Sequence, residues 1–452
     1  MTRRDVLATA AAPLLAAESP RKPNFVVVMT DDQGSADLGC YGARDLKTPH
    51  IDALAASGAR FTNWYSNAPV CAPSRAALMT GRYPARAGVP GNGAELKPSQ
   101  RTTASLLKPA GYATALIGKW HLGSTRETVP NAHGFDYFYG FLPGCVDFYS
   151  HRYYWGEGGS GPNRQVNFHS LFRDREEIFE DGEYLTTRIT EEACGFIRRS
   201  AHQPFFLTVT YNAPHYPMHA PREYMERFPG MEPERRTYAA MLAAVDDGVG
   251  AIRRALSQQG LLDDTLVFFI ADNGATTEPR AGLNQQPATA GSNGRYRGFK
   301  FSLFDGGMHV PGIMNWPGRI PAGQTVSEVA MTMDILPTVC KAAGAAIPAD
   351  HAVDGSDILP VAAAKAKSPH DGIFWANGQQ LAIRRGDWKL VLNGNPYGRT
   401  PEDKRPLTGD GAVFLSDLSR DPGETTNLRR EHPAIVDDMT SRIHAWREAS
   451  GQ

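Results

Sequence analysis

The sequence has almost no net charge: 47 Lys and Arg stand against 48 Asp and Glu, a formal −1 over 452 residues. So weak an overall field gives no general attraction to nucleic acid or an anionic membrane, and neither is expected as a partner. Long apolar runs are also missing. The most extended one, within residues 5–17, is too short to span a bilayer. Cysteine is sparse and scattered. Cys40, Cys71, Cys145, Cys194 and Cys340 form no Cys-x-x-Cys pair and no zinc-ligand spacing. An odd count leaves at least one thiol unpaired, and with Cys71 set apart the other four allow two disulfides or none. No internal repeat is visible, which excludes a repeat architecture.

What is present describes a globular enzyme. The length suggests two or three domains, and 41% hydrophobic with 21% charged residues is ordinary for a packed core. Residues 1–19 stand apart. Arg3-Arg4 precedes an alanine-rich apolar stretch and small residues before Glu18, the pattern of an export signal of the twin-arginine kind. A frayed alanine-rich helix is the other reading. Export predicts a periplasmic or secreted protein.

Four short apolar runs end in polar, chemically capable residues. Asn24–Met29 leads into Thr30-Asp31-Asp32, and Tyr112–Ile117 into Gly118-Lys119-Trp120-His121. Phe205–Tyr211 leads into Asn212-Ala213-Pro214-His215, and Thr265–Ile270 into Ala271-Asp272-Asn273-Gly274. Continuous β-rich runs without alternation indicate strands covered on both faces, as in a parallel sheet. Helical spacing is read between them, over Thr48–Ser57, Thr186–Arg199 and Tyr238–Gln258. The fold class is therefore α/β, a large mostly parallel sheet sandwiched by helices, with ligands expected at the carboxyl ends of the strands. After about Pro360 the texture changes. Ile373–Trp375, Leu381–Ile383, Trp388–Leu392 and Val413–Leu415 are short strands between turn residues, and Pro433–Arg447 is a closing helix. Residues 20–362 are thus expected to form the catalytic domain and 363–452 a smaller C-terminal domain with a short antiparallel sheet.

The sharpest local signal is Cys71-Ala-Pro-Ser-Arg-Ala-Ala-Leu-Met-Thr-Gly-Arg82. Pro73 suits a first helical turn and Gly81 a helix stop. Cys71 then lies at a helix N-terminus, where free N–H groups favour an anion, and Arg75 one turn on adds a forked donor. On the residues alone, Cys71 is a thiolate nucleophile of lowered pKa or a buried capping cysteine. The segment resembles the signature of type I sulfatases, in which the cysteine is oxidised to formylglycine by a dedicated maturation enzyme. Further blocks are similar in the same order from residue 23 to about 430: Asn24–Asp32 with Gly34, Thr48–Asp52, Gly118–Gly123, His133–Asp136, Ala271–Gly274, Gly306-Gly307 with Val310-Pro311, and Leu415–Leu428.

The resemblance implies an alkaline-phosphatase-like fold and a sulfuric ester hydrolase whose nucleophile is the hydrated aldehyde at position 71. Asp31, Asp32, Asp272 and Asn273 are hard oxygen donors that suit Ca²⁺, ahead of Mg²⁺, and exclude zinc or copper. By resemblance they hold one Ca²⁺ together with an oxygen of the modified Cys71. Lys119 and His121 would hold the hydrated aldehyde, Arg75 and Lys300 face the sulfate, and His215 protonate the leaving alkoxide, with His219 as the alternative acid. Loss of the proton from the second hydroxyl would then expel sulfate and restore the aldehyde, a route closed to serine or an unmodified thiol. Asp305 and His309 replace the Glu and Arg common in the family and are read as packing or substrate-contact residues.

The substrate expected is a sulfated carbohydrate, with small aryl sulfates as surrogates. Phe148, Tyr149, His151, Arg152, Tyr153, Tyr154 and Trp155 form either a stacking rim or a satellite hydrophobic cluster. The polar stretch 276–297 is a second rim element or a disordered loop. Two rival functions are a phosphonate or phosphate ester hydrolase on the same fold and a non-catalytic glycan-binding relative.

Overall fold

The computed structural model describes residues 21–154 and 169–451. The export segment and Trp155 lie outside the described residues. The four apolar runs form neighbouring parallel strands, Thr265–Ala271, Asn24–Thr30, Phe205–Thr210 and Ala113–Lys119, at the centre of a ten-stranded sheet. Tyr137–Phe141 extends the parallel set. Gly312–Asn315 runs antiparallel to both of its neighbours, Thr265–Ala271 and Ala59–Phe61, so the sheet is mixed on that side.

Alternation within Asn24–Thr30 explains why the whole run is apolar. Val26 and Val28 join one hydrophobic cluster with Ile189, Leu242 and Val249, carried by helices Leu185–Ser200 and Pro233–Gln258. Phe25, Val27 and Met29 join another with Ala72, Ala76 and Val339, from helices Cys71–Thr80 and Ile335–Ala343. Both faces are covered, so no position along the strand meets water. Among the described residues, no helix is long and apolar enough to cross a membrane.

Strand register positions the chemistry. Thr30 pairs with Ala271, Met29 with Thr210, and Thr210 with Gly118. The four strands therefore end at one level, and Asp31-Asp32, Asp272-Asn273, Lys119 and the Asn212–His215 loop emerge side by side.

The C-terminal strands Ile373–Asn377, Gln380–Arg385, Trp388–Leu392 and Val413–Asp417 form a four-stranded antiparallel sheet in chain order. Helix Pro433–Ser450 covers one face through Met439 and Ile443. The other face, with Trp375, Ala382 and Val391, packs on Leu303, Phe304 and Met308. Asp305 and His309 sit at this junction. Lys389 Nζ donates to Asp305 Oδ1 at 2.6 Å and lies 3.0 Å from Glu424 Oε1, all fully or almost fully buried. His309 lies 2.8 Å from the carbonyl of Thr62 through Nε2. Asp305 is accordingly committed to packing the two sheets together. All five cysteines are free.

Candidate active site

Cys71 is the first residue of helix Cys71–Thr80, one position further in than a cap; Val70 is the cap, and Gly81 ends the helix at φ 67°. The helix is buried along its whole length. Its N-terminus faces the strand ends, where Asp31, Asp32, Cys71 and His215 each bring one ligand atom within 4.8 Å of the others. The thiol lies 3.6 Å from Asp31 Oδ1. Burial pushes its pKa well above the ordinary thiol value despite the nearby Lys119 and Lys300 ammonium groups. That disfavours the reading of Cys71 as a thiolate nucleophile.

The cations are placed by the carboxylates. Lys119 Nζ donates to Asp31 Oδ2 at 2.5 Å, and Lys300 Nζ to Asp32 Oδ2 at 3.0 Å. Arg75 is likewise tied to a carboxylate. Its Nε and Nη2 both donate to Asp272 Oδ2, at 3.1 and 2.7 Å, and its Nη1 donates to the Lys119 carbonyl at 3.1 Å. All three nitrogens are engaged within the protein, so Arg75 orients Asp272 and the end of the Lys119 strand. Burial alone would raise Asp31, but Lys119 and Arg75 hold it below the usual carboxylate range. Asp32 is pushed up to about 7 by burial, against the opposing charge of Lys300, with Asp31, Glu278 and Asp272 adding to the rise.

The donor set fits a metal ion. Asn273 Nδ2 donates to Asp32 Oδ1 at 2.7 Å, while its Oδ1 is buried without a hydrogen-bond partner among the described residues. Asp272 Oδ1 accepts from the Asp32 N–H at 3.1 Å. Three buried carboxylates, each already facing an ammonium or guanidinium group, and an orphaned amide oxygen form a cluster whose oxygens can hold a hard cation.

His215 Nδ1 lies 2.7 Å from the Tyr216 carbonyl, and its Nε2 is 3.5 Å from Lys300 Nζ and 3.6 Å from Asp32 Oδ2. Burial, then the Lys300 and Lys119 charges, push its pKa well below the ordinary value. His219 points elsewhere: its Nδ1 is 3.3 Å from Asp147 Oδ2, beside Phe148 and Tyr149. His121 is half-buried at φ 59°, its ring against Gly144, with Nδ1 buried and unpartnered among the described residues. Burial and the surrounding cations keep it neutral.

Sequence reasoning missed Glu278. Its Oε2 accepts from Lys300 Nζ at 2.7 Å and from Thr276 Oγ1 at 3.1 Å. The segment read as rim or disorder is thus an ordered arm that sends a carboxylate to the site. The only available signal was one Glu in a polar loop, which carries no spacing information. The aromatic segment divides. Phe148 stacks on Tyr184 at 5.6 Å inside the core, whereas Tyr153 joins Cys145 and Tyr216 in a small cluster with Tyr154 against it. For these residues, core and satellite packing replaces a stacking rim.

Comparison with known proteins agrees with this geometry. The family model for sulfatases matches residues 23–345. Mouse (Mus musculus) steryl-sulfatase is 33% identical over 97% of this chain and 84% of its own length. Human (Homo sapiens) N-acetylgalactosamine-6-sulfatase is 35% identical over 96% of this chain and 87% of its own. The crystal structure of Ps i-CgsB in complex with a k-i-k-neocarrahexaose superposes with a TM-score of 0.82 at 31% identity, over 94% and 93% of the two chains. The chain belongs to the sulfatase family and is a sulfuric ester hydrolase.

Proposed function

We propose that the protein is an exported sulfatase that removes sulfate from a sulfated carbohydrate, with formylglycine derived from Cys71 as nucleophile and one Ca²⁺ held by Asp31, Asp32, Asp272 and Asn273. The observation that carries this reading is the placement of Cys71 at a buried helix start, between the Lys119–Asp31 and Lys300–Asp32 pairs and within reach of His215. A saccharide is supported by the named substrate of the N-acetylgalactosamine-6-sulfatase relative and by the oligosaccharide bound to Ps i-CgsB.

Held by Asp31, Asp32, Asp272 and Asn273, Ca²⁺ would supply positive charge to the site, and a formylglycine hydrate would supply two hydroxyls on one carbon. The chain's own residues do the rest. Lys119 and Lys300 bring buried ammonium groups to the space beside Cys71, where low polarity strengthens their pull on developing negative charge. The Tyr216 carbonyl accepts from His215 Nδ1, so Nε2 of the neutral ring faces the site as an acceptor and delivers a proton to the departing sugar oxygen only after taking one up. Arg75 orients Asp272 and opposes the rise that burial imposes on its pKa.

Initial rates on 4-nitrophenyl sulfate and on bis(4-nitrophenyl) phosphate test the reaction class. A sulfate ester preference of at least a hundredfold is expected; a diester preference would overturn the reading in favour of a phosphoester or phosphonate hydrolase. Release of sulfate from a panel of sulfated glycans and steryl sulfates then separates carbohydrate from steroid substrates.

A further inference from the structure

A second cavity of about 390 Å³ opens beside the sheet edge, and none of the site residues described above lines it. Its walls include Cys40, Tyr41, Arg60, Arg295, Tyr296 and His309. It contains two guanidinium groups and no carboxylate. The Arg60 guanidinium lies over the Tyr41 ring at 5.4 Å and donates to Thr325 Oγ1 at 3.3 Å; that of Arg295 lies over the Tyr296 ring at 5.3 Å. Neither is paired with an acid among the described residues. Arg60 is half-buried and Arg295 exposed, whereas Arg235, also half-buried, is matched by Asp37 and Asp45.

The other walls are fixed. The Tyr41 hydroxyl is tied to the Phe61 carbonyl and the Gly312 N–H, so its ring cannot swing away. His309 stacks on Tyr296 at 4.0 Å, and its Nε2 is engaged with the Thr62 carbonyl, 2.8 Å away. That leaves its Nδ1, buried and without a partner among the described residues, as a lone acceptor. The position read from sequence as a packing or substrate-contact residue therefore has both a packed side and an unsatisfied one.

Unmatched guanidinium forks select an oxyanion, and a buried lone acceptor selects a hydroxyl. The volume is that of a small-ligand site. We propose that this cavity is an accessory site for an anionic saccharide unit, with Arg60 and Arg295 gripping its sulfate or carboxylate group and His309 Nδ1 accepting from a sugar hydroxyl. The saccharide assignment deepens the substrate class proposed above; the anion site itself does not depend on it.

Calorimetric titration of Cys71→Ala protein, which removes turnover, with a chondroitin 6-sulfate tetrasaccharide tests the site. Two binding events per chain are expected. Arg60→Ala/Arg295→Ala should remove one, and Arg60→Lys/Arg295→Lys should retain it at least fivefold weaker, because the planar forks are lost. Unchanged stoichiometry and affinity in the alanine pair would overturn the site. Inorganic sulfate filling it as tightly as the tetrasaccharide would overturn the saccharide assignment. With Cys71 intact, the alanine pair should turn over 4-nitrophenyl sulfate within twofold of the parent. A parent enzyme inactive on that ester would sink the catalytic reading and leave the binding result standing.

Discussion

Lys300 holds the most consequential set of contacts in the site, because it meets Asp32, Glu278 and His215 at once. One ammonium shared between two carboxylates keeps its three protons directed, so Glu278 acts on the reaction through Lys300. Glu278→Gln keeps the shape and removes the charge. A charge-assisted hydrogen bond is worth roughly 1.5–3 kcal/mol, so kcat/KM on 4-nitrophenyl sulfate should fall about tenfold to a hundredfold. The circular dichroism spectrum should stay unchanged. An activity equal to the parent's would remove Glu278 from the account. Most of the site was legible in sequence because each strand-end motif is short and its members travel together: Asp31-Asp32, Lys119-x-His121, Asp272-Asn273. Glu278 was not, since its approach depends on how a long loop folds back. The pairing of Arg75 with Asp272 was not legible, because the two are almost two hundred residues apart and only the fold brings them together.

At the scale of elements, the strands were visible as apolar runs, but their register was not. Register depends on close approaches that a hydrophobicity pattern does not encode. Gly118 shows this. It sits at φ 119° in strand Ala113–Lys119, and a Cβ there would overlap the Thr210 carbonyl of the neighbouring strand. Gly118→Ala must therefore push the two strands apart and carry Lys119 with them. The expected cost is about 1–3 kcal/mol in stability, read by urea denaturation, together with a loss of turnover larger than that destabilisation explains. Gly312–Asn315 escaped prediction for a related reason. Four residues of strand between Pro311 and Trp316 are too few for periodicity to register.

At the scale of the whole molecule, the two larger sheets are fastened at buried charges. Lys389 bridges Asp305 and Glu424, and the C-terminal strands reach toward the site: Asn377 Nδ2 and Gln380 Nε2 donate to the Phe301 carbonyl, next to Lys300, at 2.8 and 2.9 Å. The C-terminal sheet thus supports the backbone of a site residue, a role that its sequence of short strands did not disclose. A second fastening is His370, whose Nε2 lies 2.9 Å from Asp334 Oδ2. Burial lowers its pKa, but the charge and hydrogen bond of Asp334 outweigh that and hold it above the ordinary value. A raised folded-state pKa means a stabilisation fully present below the unfolded value of about 6.5 and lost as pH climbs through the folded one. The melting temperature should therefore decline from about pH 6.5 upward, and His370→Asn should flatten that part of the profile while lowering stability at acid pH. Parallel profiles for the two proteins would contradict the assignment.

All of this converges on position 71, where a buried, unactivated thiol stands at the focus of two ammonium groups, a histidine and a cluster of carboxylates. Mass spectrometry of the tryptic peptide containing residue 71, taken from catalytically active protein, tests the central claim most directly. The account predicts an aldehyde in place of the thiol, with the modified fraction rising in proportion to specific activity. Active enzyme carrying only unmodified cysteine there would contradict it.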